Sequence, residues 1–103
     1  MISKPLLLFA CGSFREESVQ LAVFRRRLSG VPDYLPGYAR LSHGKGNEPV
    51  VTQTGNANDR VAGLVFTVTE NDLDLAARAE PLDYVRRSVV LASGRNAWAF
   101  LKR

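Results

Sequence analysis

The sequence predicts an α+β fold with enough strands to curl into a small barrel. Three observations carry this. Leu6-Leu7-Leu8-Phe9-Ala10-Cys11 is an unbroken apolar run of strand length that stops at Gly12-Ser13. Val61 to Thr69 presents two alternating faces, Val61, Gly63, Val65, Thr67 and Ala62, Leu64, Phe66, Val68. Helical spacing is confined to two short stretches, and the chain closes on a strand pair around Gly94.

In chain order, the first strand ends where Gly12 lets the backbone bend closely. Strand, Gly-Ser turn and helix start aim several backbone N–H groups one way, a geometry that holds anions. The floor of a small-molecule pocket and a plain strand-to-helix turn both fit this stretch taken alone. Glu16 and Glu17 open a helix that the spacing of Val19, Ala22, Val23 and Leu21, Phe24, Leu28 carries to about residue 28. Ser29-Gly30 ends it and Pro32 blocks resumption. Tyr34 to Leu41 is extended, bent or at an edge at Pro36-Gly37. Ser42 to Asn47 is a loop in which Gly44 and Gly46 flank Lys45, Pro49 to Thr54 a short strand, and Gly55 to Asp59 a polar turn. Gly63 marks a bulge or a close backbone approach in the strand from Val61. Thr69 is a helix N-cap with Asp72 three residues on, and the helix stops at Ala79-Glu80-Pro81. Tyr84 to Ala92 and Ala97 to Lys102 form the closing strand pair, with Trp98 and Phe100 on one face.

The 103 residues suit one domain, expected to span 1–103, with 46% hydrophobic and 23% charged residues as in ordinary folded proteins. No apolar stretch is long enough to cross a bilayer. Lys4 and the run to Cys11 resemble a lipoprotein signal, but the run is shorter than a signal core, so it is read as the first core strand. A single cysteine allows no internal disulfide and fits a reducing cytoplasm. The net charge of +4 permits anionic partners without requiring nucleic acid. The densest basic run, Arg25-Arg26-Arg27, falls inside the helical pattern, where cations suit a helix C-terminus. Aromatic and basic residues do not interleave as a single-strand platform needs.

One histidine and one cysteine do not make the usual tetrahedral metal set, so no metal is expected. A Cys11–His43 nucleophilic pair is outweighed by Cys11 as a small buried hydrophobe and His43 as a loop residue. Gly44-Lys45-Gly46 lacks the following Ser or Thr of a phosphate loop. Among carboxylates, Glu70, Asp72 and Asp74 belong to a helix start. Glu80 differs: it falls at a helix end among Ala79, Pro81 and Leu82, where desolvation raises a carboxyl toward a useful base. On position alone the exposed helix-end glutamate is the stronger reading.

The segment Phe9-Ala10-Cys11-Gly12-Ser13-Phe14 resembles the ligand loop of the gamma-glutamylcyclotransferase-like family. Leu35-Pro36-Gly37-Tyr38, Val61-Ala62-Gly63-Leu64-Val65-Phe66, and Leu75 to Arg86 with Glu80, Tyr84 and Arg86 in register are similar to its other motifs, in the same order. The resemblance implies a small mixed β-barrel with short flanking helices. It also implies cofactor-free closure of a γ-glutamyl amide to 5-oxoproline with release of an amine. Glu80 would be the general acid and base, and Cys11, Gly12, Ser13, Phe14 and Tyr84 would bind substrate. The partner is then a small γ-glutamyl compound, with neither nucleic acid nor membrane involved. Cys11 stands where the family usually has Tyr, Pro81 where it has Gly, and Ala76 where it often has Asp. Two other readings stand beside this one. Cys11 and Pro81 motivate a non-catalytic binding module on the same fold, and the net charge together with Arg25 to Arg27 motivates a basic nucleic-acid binder.

Overall fold

The computed structural model describes residues 5–42 and 49–103. The loop residues His43 to Asn47 lie outside the described residues. Strand β1 (Leu6–Ala10) leads through a 3-10 turn (Ser13–Arg15) into α1 (Glu17–Phe24). Strands β2 (Gly30–Pro36), β3 (Tyr38–Leu41), β4 (Val50–Gln53) and β5 (Arg60–Val68) follow, then α2 (Glu70–Ala79), β6 (Tyr84–Val90) and β7 (Asn96–Lys102).

Five strands form one mixed sheet in the order β2-β5-β1-β7-β6, and β3 and β4 form a separate antiparallel ribbon. The first apolar run is the central strand. It pairs antiparallel with β5, Leu8 opposite Phe66, and parallel with β7, Leu8 opposite Trp98. A central strand needs both faces covered, which is why this run has no polar position. Phe9 and Cys11 enter one core with Leu35, Val61, Val65, Ala99 and Leu101, and Tyr38 and Val51 of the ribbon pack against it. Leu8 and Ala10 enter the other with Phe14, Phe24, Phe66, Leu73 and Ala76, under the helices. Thus one core lies inside the curl of the sheet and the other between sheet and helices.

The sheet curls without a ladder joining its two edges. The edges meet at one end, where the Ala92 amide donates to the Tyr34 carbonyl at 2.9 Å. Buried Asp33 of β2 reinforces this joint by accepting from the Ser93 hydroxyl and amide and from Arg95. Gly63 is a close approach: an added Cβ would lie 2.5 Å from the Ala10 carbonyl oxygen and 2.6 Å from the Phe9 ring.

Helix α1 is shorter than its spacing predicts. It ends at Phe24, and Arg25 takes a left-handed conformation, φ 64°. Two long-range contacts pull the following residues away from the helix path. Arg26 makes paired hydrogen bonds to Asp72 on α2, and the Leu28 amide donates to the buried Gln20 side chain. The basic run therefore lies beyond the helix rather than inside it. Arg26 is spent on Asp72 and Arg27 lies 2.9 Å from Glu17, which leaves little of the cationic face on which a nucleic-acid reading rested. Strand β2 starts at Gly30, and Pro32 is tolerated because β2 is an edge strand.

Helix α2 begins as its sequence predicts. The Asp72 amide donates to the Thr69 hydroxyl at 3.1 Å and the Thr69 amide donates back to the Asp72 carboxylate at 2.9 Å, a reciprocal capping box. Among the described residues no helix is long and apolar enough to cross a membrane.

Candidate active site

A cavity of about 340 Å³ opens where β1, the 3-10 turn, the ribbon, the end of α2 and the β6–β7 pair converge. Cys11, Gly12, Ser13, Phe14, Glu80 and Tyr84, all six residues singled out from the sequence, line it. They come from two separate stretches of the chain, 11–14 and 80–84, and the topology of the sheet brings them together.

The turn is held from below. Phe14 is buried, with its ring centroid 5.6 Å from that of Phe24 and 6.4 Å from that of Phe100, which itself lines the cavity. Gln20 donates to the Phe14 carbonyl at 2.8 Å. The Arg15 amide is the first that the turn satisfies, on the Gly12 carbonyl, so the amides of Gly12, Ser13 and Phe14 precede it. Gly12 and Ser13 are exposed at the cavity surface.

Glu80 caps the C-terminus of α2 with an extended backbone, ψ 150°, while its amide still donates to the Ala76 carbonyl. A turn from Pro81 to Tyr84 then swings the chain into β6, which keeps Glu80 and Tyr84 on the same cavity. Desolvation by burial raises the Glu80 carboxyl above its ordinary value. Burial likewise raises the Cys11 thiol, against the opposing fields of Arg40 and Arg15. A thiol so shifted is mostly protonated at neutral pH and is a poor nucleophile. Its formal partner His43 is among the residues not described.

Sequence reasoning missed the ribbon's contribution, Arg40 and Val51, and the β7 residue Lys102. Arg40 donates to the Cys11 carbonyl at 2.7 Å. Its place depends on ribbon pairing, Arg40 opposite Val51, and no local pattern announces that register. Arg86, in register with a family motif, is not among the cavity residues. It lies over the Trp98 ring at 4.1 Å and pairs with Glu70 at 2.7 Å, fastening α2 to the sheet.

The fold that carries this cavity has counterparts among solved structures. The Arabidopsis thaliana protein At3g28950.1 superposes with a TM-score of 0.80 at 21% identity, covering 98% of this chain and 64% of the other. A gamma-glutamyl cyclotransferase matches with a TM-score of 0.69 at 14% identity, covering 97% of this chain and 68% of the other. The protein PH0828 of Pyrococcus horikoshii matches at 0.68 and 14% identity, covering 94% and 77%. This chain thus spans roughly two thirds of the length of the first two. No curated protein sequence matches it significantly. The sequence signature described as "Gamma-glutamyl cyclotransferase, AIG2-like" matches residues 8–103, and the chain belongs to that family.

Proposed function

We propose that this chain is a cytoplasmic, cofactor-free cyclotransferase that closes a γ-glutamyl amide to 5-oxoproline and releases an amine. One observation supports it above the others: a desolvated glutamate and the Gly12–Phe14 turn line the same cavity. The substrate carries its own nucleophile, the α-amine of its γ-glutamyl group. Glu80 takes a proton from that amine, and the nitrogen attacks the γ-carbonyl carbon. The amide C–N bond then breaks as Glu80 returns the proton to the leaving nitrogen. The amides at Gly12 to Phe14 hold the substrate's α-carboxylate, and the folded pose supplies proximity. Tyr84 and Cys11 form the wall.

The test is 5-oxoproline release from a panel of γ-glutamyl amides. Glu80→Gln keeps shape and hydrogen bonding but carries no proton, and is expected to lose roughly 10²–10⁴-fold in turnover while still binding ligand. Asp74→Asn, on the exposed face of α2, is expected to match the parent. Equal rates for Glu80→Gln and the parent end the acid–base assignment. Binding without release by the parent makes the protein a binding module on this fold.

A further inference from the structure

A second groove, of about 430 Å³, lies between β4 and the β6–β7 pair. It shares Val51, Leu101 and Lys102 with the candidate active site, but neither Glu80 nor any residue of the Gly12–Phe14 turn lines it. Val50, Val51, Thr52 and Gln53, the whole of β4, border it. Side chains of consecutive strand residues point to opposite faces, so four in a row border a groove only where the strand lies edge-on to it. Among the described residues β4 pairs with β3 alone, and no backbone hydrogen bond joins its other edge to a strand. An unpaired edge of this kind is a template for one more strand.

The facing wall is cationic. Arg87 stands opposite Ala99, between Val85 and Val89, on the side of the sheet that lies inside the curl. It is exposed there because the groove opens at that point. Arg103 continues β7, its amide donating to the Asp83 carbonyl at 2.8 Å, and alternation puts it on the same side as Leu101. Positions 83 and 87 of the β6 strand thus mark the two arginines, roughly 14 Å apart along an extended chain. Among the described residues neither guanidinium has a carboxylate partner, and the groove holds no acid. Its third cation, Lys102, has Asp83 at 3.6 Å.

Edge and charge together select the occupant. A small free anion would answer the arginines and leave the β4 edge unpaired. A neutral strand would pair the edge and leave the arginines unanswered. A second copy of this chain brings a net charge of +4 to a basic wall and is repelled. We propose that this groove docks an extended acidic peptide segment of a partner protein, which adds as a strand to the outer edge of β4 and sets carboxylates four residues apart against Arg87 and Arg103.

The probe is the peptide acetyl-Thr-Glu-Val-Thr-Val-Glu-Thr-amide, titrated at low salt into isotope-labelled protein and followed by amide chemical shifts. Shifts are expected along Val50 to Gln53 and at Arg87. A copy with Gln in place of both Glu is expected to bind roughly three- to thirtyfold more weakly, the worth of two exposed ion pairs, and the parent peptide to lose as much on the double variant Arg87→Ala, Arg103→Ala. A copy N-methylated along its backbone keeps the charges but has no N–H to donate, and is expected to leave the β4 amides unmoved. Both arginines are exposed, and the Gln peptide tests the charge on the unaltered protein in any case. Equal binding of the Glu and Gln peptides, affinity that survives loss of the two arginines, unchanged binding of the N-methylated copy, or no binding overturns the proposal. So does a short oligothymidylate that binds the same arginines more tightly than the peptide, which makes the groove a nucleic-acid site. Shifts at these residues that grow with protein concentration alone assign the edge to a second copy and overturn it too.

Discussion

Glu80 sits half-buried at the end of α2, where desolvation works against its negative charge. Two opposite pH effects follow. As a base it must be ionised, so the acid limb of kcat/KM is expected above the ordinary glutamate value of about 4.3. For stability the sign reverses. A carboxyl whose pKa is raised by folding favours the folded state while protonated, and that contribution is lost as pH rises through the folded pKa. Glu80→Gln is therefore expected to melt no lower than the parent at pH 7, with the two converging in acid. A Glu80→Gln protein that melts well below the parent at neutral pH would contradict the desolvation account. Cys11 has a parallel test: its buried, upshifted thiol is expected to react slowly with iodoacetamide at pH 7, and Cys11→Ser to keep most turnover. Rapid alkylation with loss of activity would bring the thiol into the chemistry. The Ala79-Glu80-Pro81 stop made the position of Glu80 at a helix end legible, while its selection as a candidate acid rested on the family resemblance. Arg40 was not legible, because its place depends on pairing with a strand across a loop.

The two helices show what element-scale patterns can and cannot carry. Helix α2 was readable at both ends, since a capping box and a proline stop are local signals. Helix α1 was overextended because apolar spacing continues through Leu28, while the forces that end it are tertiary. Chief among these is Arg26 reaching Asp72, whose carboxylate is 4% exposed and also closes the α2 cap. Arg26 and the Thr69 cap outweigh burial and hold the Asp72 carboxyl at about 2. A depressed pKa stabilises the fold above the unfolded value and is lost as pH falls through the folded one. Asp72→Asn is thus expected to cost about 2 kcal/mol at pH 7, and the gap to the parent to close between about pH 4 and the folded pKa. Urea melts at stepped pH measure it; a gap that stays constant down to acid would mean that Asp72 acts through its shape and not its charge.

At the scale of the whole molecule, the strands were largely legible and the closure was not. The unbroken apolar run of β1 and the two apolar faces of β5 announce strands buried on both sides, and Gly63 announces a close approach. No local signal says that a β2 aspartate will reach the turn between β6 and β7. Yet Asp33 is where the curled sheet is fastened. Burial alone would raise its carboxyl, but hydrogen bonds from the Ser93 hydroxyl, the Tyr34 and Ser93 amides and Arg95 outweigh this and keep it below its ordinary value. Asp33→Ala removes the acceptor for all of these donors at once. Three of them, the Ser93 amide and hydroxyl and the Arg95 guanidinium, belong to the neighbouring hairpin. Because Arg95 is half exposed, water can reclaim its charge, so the loss is that of charge-assisted hydrogen bonds, about 2–3 kcal/mol, and not that of a stranded buried ion. The stability so lost is the part present above the unfolded carboxylate pKa, about 3.9, so parent and variant should converge as pH falls below it. The expected signature is also local. Amide exchange at Ala92 and Ser93 should quicken more in Asp33→Ala than exchange at Phe9 or Val65, which lie in the central strands. Neither Asp33 nor Ser93 lines the cavity, so release of 5-oxoproline should survive in the folded variant. Unchanged protection at Ala92 and Ser93 would show that the sheet holds its curl without this joint, through the packing of Leu35, Val89 and Leu91 alone.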